Sequence, residues 1–276
     1  MDSDWLFCSS ELVAGSGHVL SVEQKAALQT SLLILKKNYK FHRVMFWGKI
    51  LGLNNDYFIA QGRGEDELKD RKYLYSFNCM DWFLLPSTTN SMIDASKAAK
   101  GRFRGDPSYV YEQTENGTQR DGSEAVQEPI VHKVTEETRL AVTVEAIDKE
   151  VSIVPRGAFI KNPHCVVQAN HSFGGLSHLE TRKLENFLHF SEPKIVKKKS
   201  LLEMAHWNPS MDFLDALSDD LPKGSWSLQF ECAGRVCVIR SLLWLGLTFF
   251  HLPMTPLHGY VYFGFGDKNV SLPFML

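Results

Sequence analysis

Apolar positions change period repeatedly along this chain, and each change marks a predicted element. Leu28, Leu32 and Leu35 recur at helical spacing behind Ser21-Val22-Glu23-Gln24. That tetrad is a capping box, in which the Ser21 hydroxyl meets the third helical amide and Gln24 reaches back, so a helix is predicted from Val22 to Asn38. The period then falls to two. Val44, Phe46 and Ile50 alternate with Met45, Trp47 and Lys49, and Gly52-Leu53-Asn54-Asn55 turns the chain into Tyr57-Phe58-Ile59-Ala60, which reads as a β-hairpin. A third strand at Lys72 to Asn78 makes the first third of the chain a helix packed on an antiparallel sheet.

Ser91 to Lys100 is helix-like. Tyr111 to Glu128 holds Asn116-Gly117 and Asp121-Gly122 and almost no large apolar residue, the composition of an exposed polar loop. Val134 to Ile147 again has helical spacing, and Val151 to Val154 and Ala158 to Ile160 flank a Pro155-Arg156-Gly157 turn. A second capping box, Ser177-His178-Leu179-Glu180, predicts a helix to about His189. A short helix is predicted at Ser200 to Ala205 and a turn-rich acidic stretch at Asn208 to Asp220. In the last third, Trp226, Leu228 and Phe230 alternate, Ala233-Gly234 turns, and Val236 and Val238 alternate against Cys237 and Ile239. Leu247 to Phe250 and Tyr260 to Phe265 are two more strands.

The expected fold class is therefore α+β, mainly antiparallel sheets with several packed helices and no Rossmann or P-loop unit. Residues 1–110 form a helix-plus-hairpin region, 111–128 a flexible polar loop, and 129–276 helices followed by a β-rich region; one continuous domain is the alternative. No repeat of fixed period is present.

Composition narrows the function. With 44% hydrophobic and 22% charged residues, 276 residues can build a core without staples, and a formal net charge of -2 gives no overall pull toward nucleic acid or an anionic membrane. Asp2 and Asp4 stand where a secretory leader carries basic residues, and Leu242 to Phe250, the longest apolar candidate for a membrane span, is broken at Gly246. Export and membrane insertion are not expected. Five cysteines, Cys8, Cys79, Cys165, Cys232 and Cys237, are odd in number and irregular in spacing, so they read as reduced packing residues.

Candidate chemistry is sparse. His164-Cys165 is the most suggestive pair for a nucleophile, but catalytic Cys–His pairs meet in space rather than in sequence, and a buried packing cysteine is the favoured reading. Cys232 and Cys237, on the arms of the predicted hairpin, lack the second ligand pair of a zinc site. Gly62-Arg63-Gly64 and Gly264-Phe265-Gly266 lack the third glycine and strand-to-helix context of a dinucleotide loop. Glu136-Glu137 and Asp219-Asp220 read as solvated carboxylates. Lys197 to Lys199 could meet an acidic partner such as a tubulin tail. The 18 Phe, 8 Tyr and 6 Trp gather near the predicted strands and suit core packing first, interfaces second.

The segments Phe46-Trp47-Gly48-Lys49-Ile50-Leu51-Gly52, Tyr57-Phe58-Ile59-Ala60-Gln61-Gly62, Ile153-Val154-Pro155-Arg156-Gly157-Ala158 and Gly224-Ser225-Trp226-Ser227-Leu228-Gln229 resemble the radial spoke head family. So do Arg240-Ser241-Leu242-Leu243-Trp244, Gly259-Tyr260-Val261-Tyr262 and Leu272-Pro273-Phe274-Met275-Leu276. One departure is Leu245, where the family typically has proline. The resemblance implies a non-enzymatic structural component of the radial spoke head in the 9+2 axoneme of motile cilia and flagella, within the cytoskeleton of the cytoplasm. It implies a role in spoke head assembly and in passing central-pair signals that regulate dynein-driven motility. The implied partners are spoke head proteins 4 and 6, spoke proteins 1, 3 and 10, and, indirectly, central-pair projections; no cofactor, metal, nucleic acid or membrane is implied. Trp47, Trp226, Trp244, Tyr260, Tyr262 and Phe274 are the candidate partner-interface or core anchors. The alternatives are a microtubule-binding accessory protein using Lys197 to Lys199 and a thiol enzyme using Cys165.

Overall fold

The computed structural model describes residues 1–17, 19–97, 99–115, 130–194, 205 and 207–275. After a short helix α1 (Leu6–Leu12), the Ser21 capping box closes as expected. The Gln24 amide donates to Ser21 Oγ at 3.1 Å, the Ser21 amide donates to Gln24 Oε1 at 3.0 Å, and α2 spans Val22–Asn38. There follow β1 (Arg43–Ile50), β2 (Tyr57–Arg63), β3 (Arg71–Ser76), β4 (Phe83–Leu84) and α3 (Asn90–Ser96). The middle of the chain supplies β5 (Val110–Glu115), β6 (Ile130–Thr135), α4 (Glu136–Val151), β7 (Ile153–Pro155), β8 (Phe159–Lys161), β9 (Val167–Ala169) and β10 (Phe187–His189). The last third gives β11 (Trp226–Glu231), β12 (Val236–Ser241), β13 (Leu247–His251) and β14 (His258–Gly264).

Both ends of the chain enter one eight-stranded sheet, ordered β11-β12-β13-β14-β1-β2-β3-β4. Each half is an antiparallel meander, and the halves join through a single parallel pair, β1 with β14, in which Gly48 faces Tyr262. The fold is α+β. Small two-stranded sheets pair β7 with β10, β8 with β9 and β5 with β6. One face of the large sheet packs Leu28, Leu32 and Leu35 of α2 over Val44, Phe46, Phe58 and Val261. The other packs Leu140, Val144, Ile147 and Val151 of α4 over Trp47, Ile59, Phe249 and Tyr262. With helices on both faces, β2 is buried along its whole length.

Several predicted elements are corrected. Strict alternation puts Ile50 on the Val44 and Phe46 face, but a β-bulge between Phe46 and Gly48 leaves Trp47 without a partner on β2 and reverses the parity, so Trp47 and Ile50 both face α4. Tyr111 to Glu115, read as loop, belong to β5; the rest of that loop, to Glu128, lies outside the described residues. Val134 and Thr135 end β6 rather than start a helix, because Thr135 caps α4 by accepting from the Thr138 amide. The Ser177 box does form, with Glu180 Oε2 accepting from the Ser177 amide at 2.8 Å and Ser177 Oγ from the Glu180 amide at 3.3 Å. It opens only two 3₁₀ turns, Glu180–Arg182 and Leu184–Asn186, before the chain becomes β10. Ser200 to Met204, most of the short predicted helix, lie outside the described residues.

Leu245 sits exposed in the turn that leads into β13. The Leu247 amide donates to the Trp244 carbonyl at 3.2 Å, and Gly246 follows with φ +110°, as in a type II turn, whose second position suits proline. His251, at the end of β13, is fully buried. Its Nε2 accepts from the Leu176 amide at 3.1 Å, so the proton sits on Nδ1, which donates to the Leu257 carbonyl at 3.0 Å. Burial lowers its pKa from 6.5 to about 4, against the opposing effect of the Leu257 bond.

Leu245→Pro, in a position with no donor role for its amide among the described residues, raises Tm by about 1–3 °C in a thermal melt. Gly246→Ala lowers Tm, because an added Cβ would lie 2.1 Å from the Phe263 carbonyl oxygen. His251 binds its proton more weakly folded than unfolded, so stability falls as pH drops through 6.5 toward 4. Its share between pH 7 and pH 5 is about 2 kcal/mol, and His251→Gln flattens the urea-derived stability profile by that amount.

Candidate partner interface

The sequence-predicted anchors divide by location. Trp47, Trp226, Trp244, Tyr260 and Tyr262 are buried, whereas Phe274 is 91% exposed. The buried ones are fixed by polar atoms as well as by packing. Trp226 Nε1 donates to Asp220 at 2.7 Å, and Trp244 Nε1 donates to Glu150 of α4 at 2.8 Å. The Tyr262 hydroxyl accepts from the Gly266 amide at 2.9 Å.

Trp47 and Tyr260 converge on Asp148, a carboxylate on the apolar face of α4 that is 1% exposed. Its Oδ1 accepts from Trp47 Nε1 at 3.0 Å and from the Tyr260 hydroxyl at 2.6 Å. Its Oδ2 accepts from Gln61 Nε2 at 3.0 Å, the Tyr73 hydroxyl at 2.8 Å and the Arg71 guanidinium. These donors come from β1, β14, β2 and β3, four neighbouring strands. Burial pushes the Asp148 pKa up, but Arg71 and the hydroxyl donors outweigh it and hold the carboxyl below its usual range. Arg63, itself buried, extends the network to Glu67 at 3.0 Å and Gln61 Oε1 at 3.0 Å, and both Arg63 and Arg71 lie over the Phe190 ring.

Glu136 does the same at the other end of α4. It is fully buried and accepts from the Tyr57 hydroxyl at 2.7 Å, the Tyr111 hydroxyl at 2.6 Å and the amides of Arg104, Gly105 and Asp106 at 2.8, 2.7 and 3.1 Å. This corrects its reading as a solvated carboxylate. Asp148 was missed altogether, although its spacing from Ala141, Val144 and Val151 put a carboxylate on an apolar stripe, which is a signal in itself.

The thiols are also redistributed. Cys79 and Cys237 are buried, and burial pushes both pKa values up to about 12. Cys165 is exposed, not buried as expected, because Asn162-Pro163-His164-Cys165 forms the turn between β8 and β9, with Cys165 at φ +64° and its amide donating to Asn162 O at 2.8 Å. Among the described residues its thiol makes no hydrogen bond. Cys232 lies exposed in the β11–β12 turn, at φ +50°, rather than on a strand arm, and Cys8 is exposed. Lys197 to Lys199 lie outside the described residues. Among the described residues no three His, Cys, Asp or Glu side chains group as metal ligands, and no helix is long and apolar enough to cross a membrane.

Exposed apolar side chains lie at the rim of the sheet. Phe77, Met80, Phe83 and Leu84 are exposed around β4, with Met80 62% and Phe83 51% accessible. At the opposite end lie exposed Phe230 on β11 and Leu221 just before it; Val270, Phe274 and Met275 are exposed near the C-terminus. Among the described residues, β4 and β11 each carry one edge without a neighbour.

Asp148→Asn turns an acceptor oxygen into a donor and strips the charge facing Arg71, so it should cost about 3–5 kcal/mol in urea denaturation. Phe274→Ser should change stability by less than about 0.5 kcal/mol. Equal small effects would remove Asp148 from the role given to it.

Comparison with known proteins agrees with the resemblance read from the sequence. The family described as radial spokehead-like protein matches residues 6–146. Over the whole length of both chains, this one is similar to the Danio rerio radial spoke head protein 9 homolog, at 61% identity across 277 aligned positions. It is likewise 52% identical to the Homo sapiens homolog and 48% identical to that of Xenopus tropicalis, again with 100% of each chain covered. Identity at this level over the full length, with the family match over residues 6–146, shows that the chain belongs to the radial spoke head family.

Proposed function

We propose that the chain is a non-enzymatic structural subunit of the radial spoke head in the axoneme of motile cilia and flagella. Its work is to hold neighbouring chains in register, so that contacts at the central pair are passed toward the dynein arms. Its proposed partners are spoke head proteins 4 and 6, with spoke proteins 1, 3 and 10 in the same assembly. Family membership supports the structural role.

The observation that carries the assembly reading is the open sheet. Both outer strands, β4 and β11, lack neighbours among the described residues, and exposed apolar side chains gather beside β4 and near the opposite end. Unpaired edges offer backbone donors and acceptors to another chain, and adjacent apolar groups add desolvation energy when covered. The buried anchors contribute indirectly, by keeping those edges in place.

The test is co-purification. A tagged wild-type chain from motile ciliated cells should retain the other spoke head chains through a salt wash. The double variant Phe83→Asp with Phe274→Asp should recover at least fivefold less of them, with Tm within about 2 °C of wild type because both positions are exposed. Wild-type protein that recovers no spoke head chain sinks the assembly role. Undiminished recovery by the double variant sinks the choice of surface.

A further inference from the structure

The face that carries α4 is not smooth. A cavity of about 1010 Å³ opens between the β4 edge and α4, and a second of about 500 Å³ lies toward Trp226 and Pro273. Lys149, Ser191 and Lys194 line both, so the two form one trough. Together they exceed the upper end of small-molecule pockets, roughly 1,000 Å³. The first basin has an apolar side, made by Leu84, Leu85, Pro86 and Pro193, and a polar floor at Tyr73 and Asp148.

Charge around this basin is unbalanced. Arg71 is engaged by Asp148, and Lys149 pairs with Glu145 at 2.6 Å. Lys69, Lys72 and Lys194 line the basin, are exposed, and have no acidic partner among the described residues. Against these three cations stands one such carboxylate in this basin, Glu192, while in the second basin Glu150 pairs with Lys268, Asp220 with His189, and Asp215 accepts from the Lys194 amide. An occupant with several negative charges is favoured over a neutral or cationic one.

Backbone geometry selects a peptide. Leu74 faces Leu84 and Tyr75 faces Phe83 in the β3–β4 register, and the Leu85 amide donates to the Tyr73 carbonyl at 2.9 Å. Antiparallel alternation therefore turns the Leu84 N–H and C=O outward, along the trough wall. An extended chain laid there pairs with that edge, an interaction neither a nucleic acid nor a lipid headgroup reproduces.

We infer that the trough takes an extended acidic segment of another chain in the same assembly, its backbone on the outer edge of β4 and its carboxylates on Lys69, Lys72 and Lys194. This rests on the assembly role proposed above and adds to it a definite site and a chemical class of ligand. It shares Leu84 and the β4 edge with the exposed apolar rim and differs from it in the lysines that line the basin.

Two measurements test it. In the first, fluorescein-labelled Glu-Val-Glu-Val-Glu-Val-Glu-Val is titrated with the full chain at 50 mM and 500 mM NaCl, beside the peptide with lysine in place of glutamate. The acidic peptide binds, weakens at high salt, and loses about tenfold in affinity to the triple variant Lys69→Glu, Lys72→Glu, Lys194→Glu, while the basic one does not bind wild type. Equal binding of both peptides, or no loss in the triple variant, overturns the inference. In the second, a benzoylphenylalanine replaces exposed Ser87 at the trough wall in the full chain, and intact spoke heads are irradiated. The expected cross-link joins Ser87's position to an acidic stretch of a different spoke head chain. Cross-links to a second copy, to a basic stretch or to nothing, in a chain that still co-purifies with the spoke head, overturn the inference and leave the assembly role standing. Loss of co-purification in the wild type sinks both.

Discussion

A carboxylate taken out of water must be answered by donors, and in this protein the answer to Asp148 organises the sheet. Burial without partners costs several kcal/mol for an ion of this kind. Here five donors from β14, β1, β2 and β3 meet it, so those strands reach their lowest energy only with α4 in one position. The parallel β1–β14 pair is the join between two meanders built from opposite ends of the chain, and no hairpin connects it. The hydrophobic effect alone is indifferent to small slips of α4 along this seam, since it scales with area. Hydrogen bonds from Trp47 and Tyr260, one on each side of the join, are not.

Glu136 fixes the other end of the same helix, and the two carboxylates divide the task. Asp148 holds α4 to the strands, while Glu136 gathers the amides of Arg104, Gly105 and Asp106, with Tyr57 from β2 and Tyr111 from β5. Gly105 stands at φ +89° with Asn55 O 2.3 Å from where a Cβ would sit, so the loop that feeds Glu136 can come this close only because that residue has no side chain. Both carboxyl groups are held below their usual pKa range by these partners, which outweigh the burial that would raise them. Their contribution is therefore present above about pH 4 and is lost on acidification below it.

Much of this fold was readable from local pattern. Ser21 and Gln24 announced α2, whose bounds agree with the prediction, and the alternation in Trp226 to Ile239 announced the β11–β12 hairpin. What could not be read depends on atoms far away in sequence. Nothing local in Phe46-Trp47-Gly48 reveals a bulge, whose purpose is visible only once Tyr262 of β14 lies against Gly48 and α4 lies against Trp47. The Ser177 box satisfied its own amides as a helix start does, yet the chain beyond it makes only two 3₁₀ turns before it enters the β7–β10 pairing. The rim was less legible than the core. Aromatic density drew attention to Trp47, Trp226, Trp244, Tyr260 and Tyr262, which are inside, whereas exposed Phe83 and Met80 carry no distinctive spacing.

That distribution bears on how such a subunit keeps open edges without aggregating with copies of itself. A long, flat, apolar edge would pair with any extended chain. β4 is only two residues long, and after Leu85 comes Pro86, which cannot donate to a ladder. On the other side, β11 presents Gln229 and Glu231, both engaged by Arg240 of the neighbouring strand at 2.9 and 2.5 Å, so the edge is polar where β4 is short. Neither edge alone offers a strong, indiscriminate template. Selectivity must then come from what surrounds them, apolar side chains on one hand and uncompensated lysines on the other. A partner that matches both is favoured over a second copy of a chain whose formal charge is only -2.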